Sequence, residues 1–222
     1  MGVKRDNSLT HPHLIVCEGL DAKLFLMYYL QSVIIHDNRF EEFKIMEPGG
    51  NEDIKKFIKL LPKLPGFLAV KSVTVIRDSE RNSQGASQSI QTLFMNNRFA
   101  VPNRPCEVAY PKGSEHSVKV GYALFPEFNS ESTDGTLEDL CMKTLNHPDK
   151  DSILCIVDHA LETYEEQIGI LRRLHKNRLH TFLSLTDRFV GKRIGESAQA
   201  NAFDYTSGDF ELLTIMLAQM LV

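Results

Sequence analysis

Two short acidic stretches have the residue types and the spacing to do chemistry. Glu18 closes the apolar run Leu14–Cys17, with Gly19 and Asp21 just after it, and Asp78-Ser79-Glu80 follows the β-branched run Val73–Ile76. In an extended segment, residues i and i+2 project to one face, so Asp78 and Glu80 are expected to present their carboxylates together. Glu18 is expected opposite them, from a neighbouring strand. Like charges this close repel strongly in a low-dielectric cleft, and a bound cation or a raised pKa relieves the repulsion. Magnesium, or manganese in its place, suits such a set. It takes a few carboxylate oxygens, keeps waters and leaves room for phosphate oxygens. Either stretch alone reads as the solvated polar edge of a sheet, with Asp21 a helix cap. Two of them ending two strands point to a site.

The elements that must position these acids follow from the periodicity. Leu14–Glu18 is too short for a helix and reads as a strand buried on both faces. A helix over about 22–35 follows, apolar on nearly every side. Phe43–Glu47 reads as a second strand, closed by Pro48-Gly49-Gly50. Asn51 is placed to cap a helix running to about 61, whose Ile54, Phe57, Ile58 and Leu61 have helical spacing. The run at Val73–Ile76 is the clearest strand in the chain, and a third helix is expected over about 86–97. Strand and helix thus alternate through the first hundred residues, the pattern of a parallel sheet covered by helices. In such sheets ligands bind beyond the carboxyl ends of the strands, where Glu18 and Asp78 stand.

Beyond Phe99 the texture changes. Short strands are expected near 107–110 and 118–125, then a polar, mobile loop over Asn129–Gly135. Thr136 and Asp139 have capping-box spacing at the start of a helix. A long amphipathic helix is expected from Ser152 to about Leu174, with apolar positions 153, 157, 160, 161, 164, 168 and 171 on one face. A helical piece near 178–185, a Gly-containing loop with Lys192, Arg193 and Gly195, and a last helix over about 210–221 complete the chain. Residues 1–12 read as a loose polar lead-in. The expectation is one α/β domain over 1–222, with a core at about 13–100 and C-terminal helical elaboration over about 101–222.

Of the 222 residues, 42% are hydrophobic and 24% charged, as in ordinary soluble proteins. The net charge of −4 gives no global basic field to attract nucleic acid, so a polyanion needs a local patch or bound cations. The four cysteines are scattered, with no Cys-x-x-Cys pair, and two lie in apolar runs. They read as thiols in a reducing compartment. The N-terminus has no apolar signal core and no stretch approaches membrane-spanning length. A cytoplasmic protein without a membrane partner is expected, and nothing in the sequence fixes its oligomeric state.

Further positions have chemistry of their own, each beside a plainer account. Glu138 is a further carboxylate, although an acid there also suits a helix N-terminus. His175, Lys176, Arg178 and His180, just after Arg172 and Arg173, form the most basic cluster. It suits phosphates, and equally a solvated helix end. Asp158 and His159 offer a metal ligand or ordinary helix surface. Gly49-Gly50-Asn51 offers backbone N–H groups to a phosphate or simply turns the chain, and no Lys-Ser or Lys-Thr follows it.

The order of Glu18-Gly19-x-Asp21 after a first strand, Phe25-Leu26, and Asp78-x-Glu80 after a later buried strand resembles the Toprim domain of topoisomerases, primases and the nucleases of the overcoming-lysogenization-defect type. The pattern is closer still to Toprim-like proteins of the DUF3226 type. Gly49-Gly50, Gly135–Leu140, His175–Leu183, Gly195-Glu196 and Ala202-Phe203-Asp204 belong to it as well, so it covers most of the chain from Leu14 onward. The resemblance implies Glu18 as general acid/base or metal-site carboxylate, Asp78 and Glu80 as magnesium ligands, and Glu138 as an additional ligand. It implies Lys176 as the catalytic lysine near the end of the domain. Two positions depart from the pattern: Ala22 replaces a second acid, and Glu80 is one methylene longer than the usual aspartate. The implied function is magnesium-dependent phosphodiester chemistry on nucleic acid, nuclease-like. The alternative is a non-catalytic binding or regulatory module that keeps the fold, which Ala22 and the acidic net charge favour.

Overall fold

The computed structural model describes residues 9–129, 131 and 133–222. Most of the lead-in, residues 1–8, and Ser130 and Ser132 of the polar loop lie outside the described residues. Five strands form one sheet: β1 (His13–Glu18), β2 (Phe43–Gly49), β3 (Ser72–Asp78), β4 (Val108–Ala109) and β5 (Lys119–Phe125). Their order is β2-β1-β3-β5-β4. All neighbours are parallel except β4, a two-residue antiparallel strip along the edge of β5.

The strands are apolar on both faces because helices cover both. Leu14, Val16, Val73, Val75, Val120 and Tyr122 face one core, shared with α2 (Asn51–Leu60) and α3 (Ser83–Asn96). Ile15, Cys17, Ile76, Ala123 and Phe125 face the other, shared with α1 (Gly19–Ile34), α4 (Leu137–Lys143), α6 (Leu174–Ser184) and α8 (Glu211–Leu221). Alternate side chains along a strand point to opposite faces, so these continuous apolar runs can only sit between two layers. The result is the parallel sheet covered by helices that the alternation implied.

The crossovers define where a ligand fits. From β1 the chain leaves through α1 on one face, and from the adjacent β3 it leaves through α3 on the other. Between these two strand ends the covering helices diverge to opposite faces, the switch point at which ligands bind in open sheets of this kind. Glu18 ends β1 and Asp78 ends β3.

Several local expectations are corrected. Residues 9–12 are not loose: Leu9 is buried, and the Pro12 carbonyl accepts from the Lys71 and Ser72 N–H groups. The long helix is α5 (Lys150–Gln167), which stops short of Leu174, and the chain turns at Gly169 with φ +139°. Of its apolar face, Val157 is buried and Ile153 and Leu161 pack partly buried against the core, whereas Tyr164 and Ile168 are exposed. The Gly-containing loop holds a further helix, α7 (Ile194–Gln199), packed on α1. Gly195 permits that contact, because a Cβ there would stand 2.4 Å from Leu24 Cδ1. A helix of six residues without an amphipathic repeat gives periodicity too little to register. No helix of the described residues is long and apolar enough to cross a membrane. All four cysteines are free; Cys17 and Cys141 are buried, and Cys155 is exposed.

Candidate functional site

Asp78 is the centre of the carboxyl edge. Its Oδ1 accepts the N–H of Leu137, the first residue of α4, at 2.8 Å. Burial, and then the negative charges of Glu138, Glu18 and Glu80, push its carboxyl up to about 7 against the pull of that N–H. Four acids therefore share one field, though they come from three places in the chain.

Each reaches it differently. Glu18 stands at the end of β1, where Gly19 turns the chain with φ +82°. Its carboxylate lies toward the β2–α2 turn, with Oε1 3.8 Å from where a Cβ on Gly50 would be. It has no hydrogen-bond or ion-pair partner among the described residues. Glu138 sits in the first turn of α4 and is only 6% exposed. Burial alone would raise its carboxyl, but hydrogen bonds from Lys176, from its own backbone and from Thr136 outweigh that and hold it below the usual range. Lys176 Nζ lies 3.0 Å from Glu138 Oε1. The lysine is itself raised: burial works against it, and Glu138 and Asp78 more than compensate.

Glu80 is at the edge, but not for the reason its spacing suggested. β3 ends at Asp78, Ser79 is buried, and Glu80 takes φ +58°. The segment is no longer extended, so strand alternation does not set the side chain's direction. A left-handed conformation costs a non-glycine residue roughly 1–2 kcal/mol. Two backbone hydrogen bonds with Gly135, at 2.7 and 2.8 Å, hold it.

The loop expected to be mobile is fastened here in its described part. Ser79 Oγ donates to the Thr133 carbonyl at 2.6 Å, and the Asp134 carboxylate caps the Ser83 N–H at 2.8 Å. Asp139 accepts from the Thr136 N–H at 2.8 Å, so the capping box forms. These bonds align β3, α3 and α4 around Asp78.

Other sequence candidates fall elsewhere. Asp21 is not a helix cap: it lies inside the first turn of α1 and accepts the Gly195 N–H at 3.1 Å, fastening α7. Asn51 is likewise the first helical residue rather than a cap, and accepts from Arg77 Nη1 at 2.5 Å. Gly49-Gly50 is a turn covered by Asp53. The basic cluster divides. Lys176 faces the acids, whereas Arg178 forms a two-pronged ion pair with Asp158 of α5 at 2.6 Å. His159 and His180 are exposed on helix surfaces.

Two residues that the spacing did not single out complete the edge. The Leu137 N–H holds Asp78, and a backbone donor carries no sequence signal. Arg77 is 8% exposed, its Nε donating to the Asp78 carbonyl at 3.1 Å. A charge directly after a buried β-branched run is a signal that could have found it.

Chemically, the edge offers oxygen donors, a surplus of negative charge and one lysine. Among the described residues, no three His, Cys, Asp or Glu side chains stand close enough together to hold a metal ion between them. Magnesium asks for less, because it is commonly held by one or two carboxylates with several waters retained. Asp78, desolvated and ringed by like charges, is the donor that fits it best.

No curated protein and no solved structure matches the chain. The family model described as protein of unknown function (DUF3226) matches residues 12–221, and the chain belongs to that family.

Proposed function

We propose that the carboxyl edge carries out magnesium-dependent phosphodiester chemistry on nucleic acid, most simply hydrolysis of a strand. The observation that carries this reading is the Asp78 carboxyl, raised to about 7 by burial and by Glu138, Glu18 and Glu80 at the switch point of the sheet. Folding gains nothing from the repulsion of Asp78 by three further acids, whereas a divalent cation relieves it.

Asp78 would hold the ion, with Glu18 and Glu80 flanking it through retained waters, and Glu138 as a further carboxylate oriented by Lys176. A bound ion of this kind polarises a phosphate and lowers the pKa of water. Glu18, without a protein partner among the described residues, is free to take the proton of an attacking water. Lys176 balances charge between Glu138 and an incoming phosphate oxygen.

A second reading is a binding or regulatory module that keeps the fold without turnover. It is favoured by the Lys176–Glu138 ion pair, which already satisfies one of the acids, and by Ala22.

The deciding experiment is cleavage of labelled single- and double-stranded oligonucleotides with magnesium or manganese, by the wild type and by Asp78→Ala. Metal-dependent cleavage that disappears in the variant is expected. Cleavage that survives both Asp78→Ala and a chelator would overturn the assignment. Tight binding without any cleavage would favour the module.

A further inference from the structure

Beside the acids lies a feature of opposite sign. An open notch of about 470 Å³ is lined by Asn51, Arg77, Arg81, Asn82, Gly85 and Ser89, among others, between the first turns of α2 and α3. Arg77 is its most informative wall. The residue is 8% exposed, yet no carboxylate lies within ion-pair distance of its guanidinium among the described residues. Two of its five N–H groups are used, on the Asp78 carbonyl and the Asn51 side chain, and the other three meet no acceptor among the described residues. Burying a charge without a counter-ion is costly, and here it borders a cavity that could hold one. A planar fork of donors matches the paired oxygens of phosphate. Arg81 adds a second guanidinium, whereas the first turn of α3 is already capped by the Asp134 carboxylate and the Asn82 side chain. Glu80 on the rim is the opposing charge.

The notch does not end there. Gly85 and Ser89 also line a groove of about 720 Å³ between α2 and α3. Lys55, Lys56 and Lys59 stand along that groove, facing the uncharged Gln88, Thr92 and Asn96. Lys55 and Lys56 are ion-paired with Glu52 and Asp53 of their own helix, and Glu52 also lines the groove, while Lys59 has no ion pair among the described residues. Next to its acids the chain therefore carries a strip on which Arg77, Arg81 and Lys59 have no carboxylate partner among the described residues, with neutral side chains between them and Glu52 and Glu80 as the opposing charges.

We propose that the Arg77 notch is a phosphate subsite, and that a nucleic-acid strand runs from the carboxylate edge across it into the lysine-lined α2–α3 groove. This rests on the reading of the carboxylate edge given above and adds to it the path of the strand. It also moves the polyanion-binding surface away from Arg178, which is spent on Asp158.

The test is fluorescence anisotropy of a labelled oligothymidylate in EDTA, so that binding is read without turnover, over a series of salt concentrations. The proteins are the wild type, Arg81→Ala, Lys59→Ala and Arg77→Lys, each checked for an unchanged thermal midpoint. Both alanine variants are exposed changes that leave the core intact, so the test stands even if Arg77→Lys fails to fold. Each variant is expected to weaken binding several-fold. Each is also expected to flatten the slope of log K against log salt, by about 0.7 for every single-strand phosphate that the variant no longer neutralises. If folded Arg81→Ala and Lys59→Ala bind with the wild-type affinity and slope, the track is wrong, although the carboxylate edge can still process a strand bound another way. If the wild type itself fails to bind the oligonucleotide at low salt, the nucleic-acid reading fails, and the track with it.

Discussion

His13 begins β1 and Asp78 ends β3, so the two lie at opposite edges of one sheet, each titratable and each taken out of water. Burial pushes each toward its neutral form, but their surroundings differ. His13 is 1% exposed and its Nδ1 pairs with the Ser72 hydroxyl at 2.8 Å. Burial lowers its pKa, with Glu42 opposing and Lys71 and Lys119 assisting, so the ring is neutral at physiological pH. Asp78 cannot escape so easily. Its partner is one backbone N–H, and three more carboxylates share its surroundings. Both groups shift toward their neutral forms, but the amino edge sets one ring among charges of both signs, whereas the carboxyl edge gathers four acids. Both edges obey the same desolvation rule, so the difference marks the carboxyl edge as arranged for something other than stability.

The largest expected effect comes from removing that charge while keeping the shape. Asp78→Asn retains an oxygen for the Leu137 N–H. Asp78 has a folded pKa of about 7, above its unfolded value, so it supports the fold at low pH and loses that support as pH rises through about 7. The asparagine variant should therefore be more stable than the wild type at pH 8, by on the order of 2–4 kcal/mol in chemical denaturation in the presence of chelator. The gap should close toward pH 4. Equal stability at pH 8 would mean that the carboxyl edge is no more strained than the amino edge. Added magnesium should narrow the gap by stabilising the wild type alone, since a ligand that binds only the native state stabilises it.

Lys176→Met comes next. It leaves the buried Glu138 without its ammonium and should cost about 1–3 kcal/mol. It should also raise the Asp78 titration further, as a carboxyl-resonance pH titration would show. An unchanged Asp78 midpoint would exclude Lys176 from the shared field. Arg178→Ala should cost less, about 0.5–1 kcal/mol, because that pair is more than one-third exposed and screened. It should leave any nucleolytic activity unaltered, in contrast to Lys176→Met.

His13→Asn is the smallest change. The lowered His13 pKa makes the wild type lose stability as pH falls below 6.5, because the unfolded chain then takes up the proton more readily. The variant should flatten the stability profile on that side alone and leave cleavage unchanged. A loss of activity would break the division between the two edges.

The sequence by itself determined the layers. Runs such as Leu14–Cys17 and Val73–Ile76, alternating with helices, allow a parallel sheet covered on both faces and little else, because every second side chain must find a core. It also placed Glu18 and Asp78 at strand ends, since a carboxylate cannot continue a doubly buried run. What it could not contain were contacts between residues far apart in the chain. Asp21 had the look of a cap until α7, more than 170 residues later, supplied the Gly195 N–H. The basic cluster read as one patch, but a helix turns about 100° per residue, and packing sent Lys176 to Glu138 and Arg178 to Asp158. Alternation aligns Glu80 with Asp78, but the Gly135 hydrogen bonds hold its backbone in a left-handed turn. Strand periodicity is a local property and survives without the fold. The field at Asp78 is a sum over segments far apart in the chain, and only their packing brings those charges together.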